Sequence, residues 1–442
     1  MKTSRLGYLF MITALLFSGS LMYGQEEPQT LKLSVNQLFS LVEENNPSLK
    51  VSKAEIEIAK QDIKVAKNQK LPDIGFNASA SYIGNAYILD KHFSKAATEK
   101  MPHFGNNFSV EATQLIWKDG VVRKSIQAKS LEEKLAELNH EANQQEVKLL
   151  ILGYYLDLYK LQNEVEVYHK NIELAEKRLK NITQFYEEGM VTRNDLIRGE
   201  LQISNLNLTR EKLRNGIKNL NNQLIMALGL DENVEIVANE SSFDEVLEVS
   251  FLELYQNNIE NHPSLLMAKK AVDLYEVSEK IVRSERMPTL VAFAGSSLDR
   301  PITTTSPVLD MYSNGWSVGV ALNFDFGSLY KTPKKIQSEK FKIEKAKAQA
   351  DEAEKLLEVA VKAAYINYEE AVTQHQTLEK NTDLAAENYR IMESKYNHQL
   401  AILLDMIDAS NTKLDAELQL TNSETNIIFA YYNLLRTSGL LQ

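Results

Sequence analysis

Apolar residues recur along this chain at two spacings, and the order of the two rhythms predicts its elements. Val165, Tyr168, Ile172, Ala175, Leu179, Ile182 and Tyr186 follow a 3-4-3-4-3-4 pattern, the seam of a coiled-coil helix. His375, Leu378, Thr382, Ala385, Tyr389, Met392 and Tyr396 repeat it in weaker form. No proline lies between Pro102 and Pro263, and neither proline nor glycine between Lys334 and Ser438. Both seams therefore belong to helices far longer than the usual three or four turns. A helix over 121–187 would be about 100 Å long at roughly 1.5 Å per residue. The second rhythm has a period of two. It runs through Ile74, Phe76, Ala78, Ala80 and Tyr82, through Phe108, Val110 and Ala112, and through Trp316, Val318, Val320, Leu322, Phe324 and Phe326. Mostly polar or small residues intervene, as in a strand with one apolar face. Leu290 to Leu298 fits less well, because Val291 and Phe293 break the alternation.

The whole plan is written twice. Leu38-Phe39 and Asn46-Pro47-Ser48-Leu49 return as Leu254-Tyr255 and His262-Pro263-Ser264-Leu265, 216 positions later. Beyond the strands the offset is 210, so that Tyr186 answers to Tyr396, Asp195 to Asp405 and Gly229 to Gly439. Each copy predicts a short amphipathic helix (34–45 and 250–261) and a second helix (48–70 and 264–286) stopped by Pro72 or Pro288. A strand hairpin follows (73–117 and 289–326), then a long helical hairpin (121–229 and 331–438). The copies are placed at 25–230 and 231–442. Thr332 is expected to cap the second long helix, with Pro333 at its first position. The long helices are expected to break near Gly189 and Gln399, and the return helices to end on Gly229 and Gly439.

Residues 1–24 read as a secretory signal peptide: Lys2 and Arg5, an apolar run from Leu6 to Phe17, then small residues. Its loss would take the formal charge from −11 to −13. That acidity argues against nucleic acid as a partner, since phosphate calls for a basic face. With no cysteine among 442 residues, disulfides, a cysteine zinc site and a lipidated N-terminal cysteine are excluded. Seven scattered histidines (92, 103, 140, 169, 262, 375, 398) offer no metal pair at helical spacing, and neither a P-loop nor G-x-S-x-G occurs. The reading is of a protein that is not an enzyme, with no cofactor and no metal.

About ten residues of alternation with aromatics near the ends suit an outer-membrane strand. Four strands cannot close a spanning barrel, and an open edge in lipid leaves backbone groups unsatisfied, so the chain must oligomerise; three copies would give twelve strands. The fold class is mainly α with a small β part: long α-helical coiled-coil hairpins and a four-stranded share of a transmembrane β-barrel, which the family resemblance below makes a trimeric twelve-stranded barrel on an α-helical coiled-coil barrel. A soluble periplasmic coiled-coil adaptor or scaffold is the alternative, since it too carries long heptad hairpins.

The duplication, the order of elements, the Pro-Ser-Leu helix starts and the turn Tyr186-Glu-Glu-Gly-Met-Val-Thr-Arg-Asn-Asp195-Leu196 resemble the TolC-like outer-membrane efflux and secretion channel family. The resemblance implies a homotrimer in outer-membrane lipid of a Gram-negative bacterium, with a helical tunnel through the periplasm. It implies as partners a periplasmic adaptor (membrane fusion) protein and an inner-membrane pump of the resistance-nodulation-division or ABC type. The helix breaks become the periplasmic tip. By position, Asp405 and Asp408 would line the tunnel constriction and set cation selectivity, and i, i+3 spacing puts them on one helix face. Tyr396 would close the tip by bonding Asp195. The arginine that the family places five residues after that tyrosine is Ala401 here, leaving Arg193 and Arg198 as substitutes. The adaptor-contacting turns would be Gly189-Met190 and Gln399-Leu400, where the second copy lacks the glycine.

Overall fold

The computed structural model describes residues 29–238, 252–305 and 307–441; the expected signal peptide and the start of the helix expected at 250 lie outside the described residues. The first copy comprises β1 (Gln29–Leu33), α1 (Val35–Asn45), α2 (Pro47–Asn68), β2 (Asp73–Tyr82), β3 (Ala86–Leu89), β4 (Lys95–Glu99), β5 (Phe104–Trp117), α3 (Val121–Glu187) and α4 (Arg193–Leu228). The second comprises β6 (Val234–Ala238), α5 (Leu252–Gln256), a 3-10 turn (Ile259–Asn261), α6 (Pro263–Ser284), β7 (Thr289–Arg300), β8 (Ser313–Asn323), α7 (Ser328–Asn397) and α8 (Leu403–Thr437).

Local chemistry sets the helix ends. Ser34 and Gln37 form a reciprocal capping box on α1. The Asn46 side chain accepts from the Ser48 N–H to cap α2, with Pro47 at the first helical position where no N–H is needed. One expectation is overturned here: α7 begins at Ser328, so Thr332 is buried in its second turn rather than capping it, and Pro333 lies inside the helix. The reason is Asp325. Its carboxylate takes the Gly327 N–H at 2.8 Å and its carbonyl takes the Ser328 hydroxyl at 2.6 Å, which turns the chain into the helix early.

Strands β2, β5, β7 and β8 form one antiparallel sheet in that order, leaving β2 and β8 as open edges. The irregular segment around Val291 is a full strand of 12 residues. Two further pairings had no signal in the pattern. The linker near 88–104 carries the β3–β4 hairpin, and β1 pairs in parallel with β6 across the two copies. That small sheet covers the main core, where Leu38, Leu49, Leu152, Leu158, Leu224, Leu228 and Ile236 are fully buried and the Tyr155 hydroxyl donates to the Leu33 carbonyl at 2.5 Å.

The helices pack side by side as one wall. Towards the sheet, α2 packs on α3, α3 on α6 and α6 on α7; towards the hairpin ends, α4 packs on α3, α3 on α8 and α8 on α7. Helix α7 thus forms one lateral edge over its whole length, and α2 with α4 forms the other. Both edges carry exposed apolar stripes: Val51, Ile58 and Val65 on α2, Ile197, Leu201 and Leu208 on α4, and Val359, Ile366, Leu384 and Ile391 on α7.

The two copies differ at one cap in a way that makes stability depend on pH. His262 stands where Asn46 stands in the first copy, and its Nδ1 accepts from the Ser264 N–H at 3.2 Å. The bond requires an unprotonated Nδ1, and burial pushes the imidazole below its ordinary value of 6.5. Arg436, Asn258 and the backbone of Gly439 face it. Because the folded value is depressed, the contribution is full above about pH 6.5 and is lost as pH falls towards the folded value. Melting of the detergent-solubilised protein followed by circular dichroism at about pH 7.5 and 5.5 tests this. His262→Asn should match the native protein at the higher pH and gain about 1 kcal/mol over it at the lower. Parallel losses in both proteins would refute it.

Candidate functional site

The far ends of the two helical hairpins build one compact unit. Ile182, Tyr389, Tyr396, Leu403 and Met406 are buried together, with Phe185, Val191, Leu196 and Ile407 packed around them. Each hairpin turns through the same left-handed closure. Gly189 has φ +74 and Gln399 φ +61. The next N–H reaches back in both, Met190 to Phe185 O and Leu400 to Lys395 O, each at 2.8 Å. Only glycine adopts this conformation freely, so Gln399 carries a strain of about 1–2 kcal/mol that Gly189 does not. The Gln399 amide reaches the Met190 sulfur at 2.9 Å, joining the turns. Met190 and Leu400 are exposed, as are Ile402 and Leu404.

The return helices start differently. Thr192 caps α4 in a box with Asp195, whose carboxylate takes the Thr192 N–H at 2.9 Å and the Thr192 hydroxyl at 2.7 Å. In the second copy the cap position is Ile402, which has no side-chain oxygen, so Asp405 has no cap partner. Asp405 and Asp408 lie exposed on the face of α8 opposite buried Leu403, Met406 and Ala409.

The expected bond between Tyr396 and Asp195 is not made. Asp195 is committed to Thr192, and the Tyr396 hydroxyl is buried without a hydrogen-bond partner among the described residues. Burial first and the nearby Asp195 carboxylate second raise the Tyr396 hydroxyl above its ordinary value. Arg193 and Arg198 are exposed and bond neither residue.

Sequence periodicity missed a polar cluster just behind the tip. The sequence pattern gives this seam place to Leu179, but Arg178 occupies the buried place between Ala175 and Ile182. Its guanidinium donates to Gln202 at 2.9 Å and Ser410 at 3.0 Å, and packs over the Tyr389 ring, whose hydroxyl donates to Glu393 at 3.0 Å. All four long helices meet on this side chain. The spacing 175, 178, 182 is also 3-4, which is the signal that was available.

A paired-hairpin wall, an unclosed four-stranded sheet and carboxylates at the far end define a channel subunit, and comparison with known proteins agrees. The outer membrane efflux protein family model matches twice, at residues 38–230 and 254–440, and the chain belongs to that family. It is an outer-membrane efflux channel protein of the TolC type. It is 22% identical to the outer membrane efflux protein BepC of Brucella suis, over 96% of this chain and 89% of that one. It is 21% identical to the outer membrane protein TolC of Escherichia coli, over 92% of this chain and 82% of that one. In fold it matches the outer membrane protein VceC of Vibrio cholerae with a TM-score of 0.74 at 15% identity, over 92% of this chain and 96% of that one.

Proposed function

We propose that three copies close side by side into one conduit that passively carries cargo from an inner-membrane pump across periplasm and outer membrane. The observation that carries this reading is the pair of unfinished lateral edges. One edge is β2, α2 and α4, the other β8 and α7, and both are unpaired in the sheet and apolar along the helices. Two different edges that complete each other make a head-to-tail contact, which closes into a ring. Four strands per copy need company to reach the eight or more of a spanning barrel, and three copies give twelve.

In this reading the turns at Gly189, Met190, Gln399 and Leu400, with exposed Ile402 and Leu404 beside them, meet a periplasmic adaptor, which links the channel to a resistance-nodulation-division or ABC pump. Asp405 and Asp408 ring the constriction. The unpartnered Tyr396 hydroxyl, with Asp195, Arg193 and Arg198, closes the tip through a neighbouring copy. The copies at 25–230 and 231–442, and a signal at 1–24, belong to the same reading. Fractionation tests it: the protein should sediment with the outer membrane as a heat-modifiable trimer and form steady conducting pores in planar bilayers. Recovery as a soluble periplasmic monomer would favour the adaptor or scaffold instead.

A further inference from the structure

Directly opposed residues in a sheet share a face, so the registers sort every strand residue. One face carries Ile74, Phe76, Phe108, Val110, Leu290, Trp316, Val318, Val320 and Leu322, the composition of a lipid-facing surface. The other carries mostly Gly, Ser, Asn and Thr. Against that background Phe293, opposite Thr113 and Gly319, is the one aromatic residue at the registered positions, and Glu111, opposite Gly75 and Gly295, is a carboxylate in mid-strand. These are the positions that spoil the alternation of β7 and the neutrality of β5.

We infer that Phe293 and Glu111 form a cargo-contact site inside the barrel that favours aromatic organic cations. The inference rests on the channel reading, since it needs this face to be the lumen. The two residues are diagonal neighbours on adjacent strands, within reach of long side chains. Glycines leave them room. The ring tip of Phe293 lies over Gly319, where an added Cβ would sit 2.9 Å from Cζ, and the Glu111 stem lies over Gly295, where it would sit 3.7 Å from Cγ. Val291 and Leu115, directly opposed on the same face, extend the apolar patch towards the helices. Phe293 is the fifth residue of β7, so the patch lies roughly 13 Å in from the helical end of the strand.

Charge selects the occupant. The registered positions of this face contain Asp73, Glu111 and Asp299 and neither Lys nor Arg. Asp299 is already held by Asn107 and Ser297. Asp73 and Glu111 make no hydrogen bond or ion pair among the described residues, and of the two Glu111 is the diagonal neighbour of Phe293, so it is the carboxylate placed to meet a cation at the ring. A ring leaning over β8 and a free carboxylate leaning over β7 suit a cation that carries aromatic groups and is large enough to stack on one and pair with the other.

Because the chain has no cysteine, single thiols can report the geometry. In planar bilayers, Phe293→Cys should react with a charged, water-soluble methanethiosulfonate and lose conductance, while Ala292→Cys on the opposite face should not. Tetraphenylphosphonium should reduce the wild-type current. Phe293→Ser and Glu111→Gln should each raise the half-blocking concentration about five-fold, the weight of one cation–π contact for the first and of one exposed ion pair for the second. Phe293→Tyr should keep the block, which separates a lost ring from a damaged barrel. An unreactive Phe293→Cys in a channel that conducts, or unchanged block in Phe293→Ser, would overturn the site. Absence of any conductance in the native protein would instead bring down the channel reading beneath it.

Discussion

A channel carrying Val359→Asp and Ile366→Asp on α7 is expected to remain a monomer and to conduct nothing. The two side chains are 64% and 59% exposed and one heptad apart on the edge helix. In the single chain they touch little, so the fold should tolerate the change. In a ring they would be covered by the free edge of the neighbouring copy, at the level where its α2 begins. Burying such a side chain is worth about 1.5–3 kcal/mol, and burying an unpaired carboxylate in its place costs several more. Threefold symmetry multiplies the penalty by three. Light scattering in detergent should show monomers with undiminished helical circular dichroism. Native-sized trimers from the double aspartate variant would show that α7 does not lie at the interface.

The parts of this molecule that were legible in the sequence are those with a long period. Seams of seven residues and strands of ten average over many positions, so a single polar intruder does not hide them. The breaks in those patterns were harder to read, yet they carried information. Phe293 spoils the alternation of β7 because it sits on the polar face opposite Gly319, not because β7 is irregular. Arg178 takes a seam place that periodicity gives to Leu179, and Gln202, Ser410 and the Tyr389 hydroxyl accept from the ends of its guanidinium there. Pairing between distant short segments was beyond reach. Nothing in five residues near Leu31 announces a parallel partner at Ile236. Cap competition was also invisible, and it decided the tip: Thr192 takes the carboxylate that had been assigned to Tyr396.

That competition is what singles out the second copy's carboxylates. Asp195 and Asp405 are equivalent positions, but Asp195 is bound by its cap and Asp405, behind Ile402, is not. Helix-dipole attraction accounts for about 0.3–1 kcal/mol at such a site, so Asp405→Asn with Asp408→Asn should leave the fold and the trimer intact. The functional effect should be far larger. Three copies would gather six carboxylates around one axis, and a multivalent cation interacts with all of them at once. A multivalent cation such as hexaamminecobalt should block the native pore in planar bilayers. The double variant should need about 100-fold more, a loss of roughly 2.7 kcal/mol, and either single variant should fall between. Asp195→Asn is the control: it should weaken the α4 cap by about 1 kcal/mol and leave block unchanged. If the double variant were blocked at the native concentration, the constriction would have to lie elsewhere, and Asp405 and Asp408 would be no more than acids at the start of a helix.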